Sequence, residues 1–172
     1  ILSVDDSGNT PLHLACCCGH EELARLLITT HSTRVDVKCM IKNETSLHKA
    51  CSFGHLSTVR MLVSEFKADK DARNYQNNTP LCVAVLGGHM NIVQMLITEF
   101  GCSPQVKGFK GRSLLHYACE KGHTNIAMIF ITDFNLDPLS VDDSGNTPLH
   151  MACWCGHEEL ARQLITKYNC PI

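Results

Sequence analysis

Aromatic residues make up only 6% of this 172-residue chain, with a single tryptophan, and no charge sign dominates. Seventeen acidic against fifteen basic side chains leave a net charge of −2, which argues against nucleic acid, whose phosphates call for a basic face. No apolar run reaches the roughly 18 residues that a membrane span needs, and no secretory leader is visible. Phosphate loops, nucleophile elbows and paired acid motifs are also missing, so no catalytic chemistry is indicated. Cysteine is plentiful at eleven. The odd count without framework spacing points away from disulfides and toward a reducing compartment, cytoplasmic or nuclear.

Repetition is what the chain has instead. TPLHLA from Thr10 returns as TSLHKA from Thr45, TPLCVA from Thr79, SLLHYA from Ser113 and TPLHMA from Thr147. A Gly-His pair follows each time, at Gly19, Gly54, Gly88, Gly122 and Gly156, an interval of 35 residues once and 34 three times. A unit this short cannot bury its own apolar face, so copies must stack.

The fifth copy shows how one unit is encoded. Asp142-Asp143-Ser144-Gly145 is turn chemistry, and Gly145 corresponds to Gly8, Asn43, Asn77 and Gly111, residue types that accept a left-handed backbone. Thr147 caps a helix that begins at Pro148, where proline is tolerated. Leu149 and Ala152 face the core, and Gly156 ends the helix. A second helix runs from about Glu158 to Thr166, with Leu160, Ala161, Leu164 and Ile165 inward. Phe66, Phe100, Phe134 and Tyr168 recur 34 residues apart and are expected to pack as a ladder.

D-x-x-G-x-T-P-L-H-x-A-x-x-x-G-H followed by an apolar helix resembles the ankyrin repeat, and the likeness spans essentially the whole chain. The resemblance implies an all-α solenoid of stacked helix-turn-helix units linked by β-hairpin loops. It also implies a non-catalytic protein-binding scaffold. Residues 1–4 read as the tail of a preceding repeat, followed by repeats 5–39, 40–73, 74–107, 108–141 and an incomplete 142–172, all in one solenoid. Extra length at Thr30–Thr33 makes the first connection irregular.

Residues 2–29 and 139–166 are the same sequence except at Leu14/Met151, Cys17/Trp154 and Leu26/Gln163. Leu2-Ser3-Val4 thereby copies Leu139-Ser140-Val141. Either a continuing array or end-to-end self-association is expected.

Histidine and cysteine invite a metal reading, but most belong to the repeated motifs. His13, His48, His116 and His150 close TPLH and are expected to tie one loop to the next, a tie that Cys82 would lose. Cys16, Cys51, Cys119 and Cys153 share one position on the first helix, where a thiol serves as a small apolar side chain. No fourth ligand arrives at zinc-like spacing, so neither a metal nor a cofactor is expected.

A partner would meet the loop tips and the exposed side of each first helix, which form a concave surface in a stack of this kind. These positions are Lys42, Glu44 and Phe53 in the second repeat and Tyr75, Gln76, Asn78 and Leu86 in the third. The fourth contributes Phe109, Lys110, Arg112, Glu120 and Lys121, and the fifth Trp154. Aromatics and cations in the middle repeats suit a protein or peptide segment with acidic and apolar residues, while Asp5-Asp6 and Asp142-Asp143 give the end repeats acidic tips. The competing expectation is an architectural spacer with no dedicated partner.

Overall fold

Each of the five TPLH phrases opens a helix in the computed structural model, which describes residues 3–31 and 33–171, His31 by its backbone only. Leu2 and Ser32, named above in the Leu2-Ser3-Val4 copy and the Thr30–Thr33 connection, lie outside the described residues. Thr10, Thr45, Thr79, Ser113 and Thr147 are the caps, each accepting a backbone N–H from three residues on. The helices they start are α1 (Pro11–Cys17), α3 (Ser46–Phe53), α5 (Pro80–Leu86), α7 (Leu114–Lys121) and α9 (Pro148–Trp154). Behind them run α2 (Glu21–His31), α4 (Leu56–Ser64), α6 (Met90–Thr98), α8 (Thr124–Thr132) and α10 (Glu158–Tyr168). Helices of two to three turns are marginal alone, so packing has to stabilise them.

The helices divide into two compact units, Ile1–Cys102 and Ser103–Ile172. In the first, α1 packs on α3 and α3 on α5, with α2, α4 and α6 forming a second row. In the second, α7 packs on α9, and each carries its own partner helix, α8 or α10. Leu12, Leu47, Leu62, Leu81 and Leu96 fill the interior of the first unit, and Leu114, Leu115, Phe130, Leu160 and Leu164 that of the second.

The loops are hairpin turns without strands. Each is closed by two backbone bonds, as in Asn74 N–H to Asn78 O (3.0 Å) and Asn77 N–H to Asn74 O (2.9 Å). Gly8, Asn43, Asn77, Gly111 and Gly145 all carry positive φ, between 56° and 80°, as their residue types predict. Extended pairing among the described residues is limited to one bridge, Lys107 to Ser113.

The aromatic series marks a feature that the repeat phrase does not announce. Phe66, Phe100, Phe134 and Tyr168 are half-buried, and the next residue is left-handed each time: Lys67, Gly101, Asn135 and Asn169. The chain then turns inward, so the amides of Ala68, Cys102, Leu136 and Cys170 reach back to Leu62, Leu96, Phe130 and Leu164 carbonyls at 2.8–3.3 Å. Carbonyls left open by the end of the second helix are satisfied this way. In the second unit Phe134 lies against Phe130, ring centroids 6.1 Å apart.

Candidate functional site

Histidine holds the frame on which any binding residue sits. In α1, α3, α7 and α9 the ring Nδ1 accepts the N–H of the capping Thr or Ser at 3.1–3.3 Å, closing a capping box. Sequences usually place Glu or Gln at this position. The opposite nitrogen donates to the next repeat: His13 Nε2–H to Glu44 O (3.0 Å), His48 to Asn78 O (3.1 Å) and His116 to Asn146 O (2.9 Å). A carbonyl only accepts, so the ring is neutral with its proton on Nε2. Burial, the largest cause, pushes the pKa of all three below the ordinary 6.5. Cys82 substitutes a thiol that takes the Thr79 hydroxyl at 3.4 Å.

The histidine of Gly-His has its own tie, to a first-helix carbonyl one repeat back. His55 donates to Cys17 O (2.8 Å), His89 to Ser52 O (2.9 Å) and His157 to Glu120 O (3.0 Å). These rings lie against the preceding Gly-His glycine, where a built Cβ would approach them to 2.6 Å at Gly54 and Gly122. At the cysteine position of the first helices, Cys16, Cys51 and Cys119 are buried, whereas Cys153 is exposed. Burial pushes the pKa of the Cys16 and Cys119 thiols up to about 12 and that of Cys51 well above its usual value. Among the described residues, no group of three His, Cys, Asp or Glu is placed to hold a metal ion. No described helix is long and apolar enough to cross a membrane.

Over this frame the candidate contact residues sort by environment. In the first unit Lys42, Phe53, Tyr75 and Gln76 are exposed, Tyr75 at 70%. Leu86 is half-buried. Glu44 forms an inward ion pair with Lys49 at 2.9 Å. Asn78 is 1% exposed, its N–H on Asn74 Oδ1 and its carbonyl taking Asn74 N–H and His48. It is therefore a loop residue rather than a contact residue.

In the second unit Phe109 and Lys110 are exposed, the ammonium 5.4 Å from the ring centre. Arg112 is not available to a partner in the way its sequence position suggests. Its guanidinium bonds Glu120 at 2.6 Å and pairs with Asp142 at 3.5 Å. Asp142 is 5% exposed, not the surface acid expected of a loop tip. Burial alone would raise its pKa, but the amides of Asn146 and Ser144, each 2.9 Å from Oδ1, outweigh it and hold the carboxyl below its usual range. Lys121 is exposed, 3.4 Å from Glu120.

Trp154 stands beside this ion-pair network, 89% exposed at the end of α9. With Arg112, Glu120, Asn146, Met151 and Cys155 it lines an open groove of about 310 Å³. Met151 is absent from the sequence-derived set, because nothing in the repeat phrase separates a core position from a groove floor.

Models of known families were compared with the chain. The model described as ankyrin repeat matches residues 7–40, and that described as ankyrin repeats in three copies matches 31–108 and 81–172. The chain belongs to the ankyrin-repeat family. Ankyrin repeats are generally protein–protein interaction modules and typically non-catalytic. A comparison with curated proteins gave no match.

Proposed function

We propose that this ankyrin-repeat chain is a non-catalytic scaffold that holds a polypeptide partner through its loop tips and the exposed positions of its first helices. A reducing compartment, cytoplasmic or nuclear, suits a chain with eleven free thiols. The carrying observation is Trp154: a large aromatic 89% exposed beside an open groove. Exposing that much apolar surface costs free energy unless something covers it, and Trp is among the residues most enriched at binding hot spots. An apolar side chain of the partner fits against Met151 and the indole. Acidic partner residues are met by Lys110 and Lys121, since Arg112 is already committed to Glu120 and Asp142.

Affinity capture from matched cell extract, repeated with Trp154→Ala, tests this reading. A captured partner should lose about 2 kcal/mol, roughly 30-fold in affinity, on removal of the indole. Equal recovery by both proteins would remove Trp154 and its groove from the binding surface. Lys110→Glu should weaken binding and flatten its salt dependence.

A further inference from the structure

The joints between neighbouring repeats differ in what they bury. Four positions of a repeat face the repeat before it, two on its first helix and two on its second. The third repeat presents Pro80, Val83, Ile92 and Met95 to the second, all of them apolar and buried. The fifth presents Pro148, Met151, Leu160 and Gln163 to the fourth. At the same places the second repeat presents Ser46, Lys49, Thr58 and Met61 to the first. Ser46 lies beside the Cys16 thiol, and Lys49 stands close to His13 and Cys17. Thr58 is on α4, which packs on α2. The joint between the first two repeats is therefore the polar one.

Each polar residue weakens it. Among the described residues, the buried Thr58 hydroxyl has no hydrogen-bond partner, and that of Ser46 has nothing better than the weakly accepting thiol. Both hydroxyls lose their water without an adequate replacement. Lys49 holds Glu44 at 2.9 Å with both side chains largely covered. Closing the joint strips water from that pair, a cost that apolar residues at the same place do not carry. A backbone tie is missing as well. Elsewhere one loop reaches the loop before it, Tyr75 N–H to Lys42 O at 3.0 Å and Asp143 N–H to Lys110 O at 2.9 Å. Ile41 and Ser7 stand at the matching places, and among the described residues no such bond joins them.

We propose that the first unit carries a conformational device at this joint: α1 and α2 part from α3 and α4 in a local opening that leaves α3 to α6 packed. Two histidine ties hold the closed state, His13 to Glu44 O at 3.0 Å and His55 to Cys17 O at 2.8 Å. Arg25 also reaches Glu65 across the joint, an exposed pair of little worth. Such openings occur at free energies below that of global unfolding, where buried apolar contact is least. The device is built from residues of the first two repeats and works whatever adjoins them. It lets the contact surface of the first repeat move apart from those of the second and third, so the scaffold can change their spacing without unfolding.

Three buried thiols report on three joints. Cys16, Cys51 and Cys119 share one repeat position, each 0% exposed beneath the repeat that follows. Alkylation of the native, reduced protein by iodoacetamide, located by fragmentation mass spectrometry, gives the opening rate at each. Cys16 should react about tenfold or more faster than Cys51 and Cys119, because only its joint carries the orphaned hydroxyls. Thr58→Val keeps the side-chain shape and removes one of them. It should slow Cys16 by about fivefold or more and leave Cys51 and Cys119 unchanged. Ser46→Ala should act in the same direction. These variants separate the composition of the joint from its place in the chain, which neither alters. A Cys16 rate no faster than the other two, a rate that neither variant slows, or one that slows equally at all three thiols would each overturn the proposal.

Discussion

Asp5 and Asp142 close the same turn in the same local sequence, yet Asp5 is exposed and Asp142 is 5% exposed. The pair belongs to the two near-copies, 2–29 and 139–166, which act as an internal control. Local geometry is shared: both first helices begin at a capped threonine with the same histidine box, and both turns are left-handed at glycine. Burial is not shared. In a repeat protein the sequence of one unit sets its shape, whereas its neighbours decide which side chains leave water.

The strongest way to break this comparison is to make one substitution at both members of a pair. Leu160→Ala should cost about 3 kcal/mol, because the side chain is 1% exposed and its removal leaves a cavity. Leu23→Ala removes an equivalent side chain that is 46% exposed and should cost less than about 1 kcal/mol. Urea unfolding midpoints of the two variants decide it. Equal losses would mean that the repeats carry their own cores and that cover from a neighbour adds little.

The repeat phrase made the architecture readable because it spells out backbone requirements. Threonine before proline, glycine or asparagine in the turn and glycine after the helix each answer a steric or hydrogen-bonding need at one position. The loop-to-loop tie was legible for the same reason: a histidine closes four of the five phrases, and the rings of His13, His48 and His116 reach a carbonyl of the next loop. The second tie, from the Gly-His ring, was not, since nothing local says which carbonyl lies a repeat away. Candidate contact residues were legible only as positions. Lys42, Phe53, Tyr75, Gln76, Phe109, Lys110, Lys121 and Trp154 are exposed. Asn78 and Asp142 are drawn inside, the first by Asn74 and His48, the second beside Arg112. His48 and Arg112 each belong to the preceding repeat, and that part of the environment a single repeat cannot reveal.

A sharper version of the comparison uses glycine. Gly19 and Gly156 have φ of 72° and 75°, so alanine at either should cost about 1–2 kcal/mol of left-handed strain. At Gly19 the new methyl also collides with the His55 ring, which must shift from its 2.8 Å bond to Cys17 O. That bond contributes about 1 kcal/mol more, so Gly19→Ala should unfold at clearly lower urea than Gly156→Ala. Matching midpoints would show that the ring gives way freely and that its tie is decorative.

Acid should produce the smallest and most gradual effect. His13, His48 and His116 have folded pKa values depressed below 6.5 by burial, so the unfolded chain takes up protons first. Their contribution is complete above about pH 6.5 and is lost as pH falls through the depressed values. Protonation puts a hydrogen on Nδ1, where the cap amide already points, and so opposes the capping box at its source. Gln at the same helical position accepts the cap amide without titrating. His13→Gln should therefore flatten the acid limb of stability against pH, and more than the same change at exposed His150. A limb equally steep in both variants would assign acid sensitivity to the carboxylates, Asp5 and Asp142 among them, whose lowered pKa values would place the loss at lower pH.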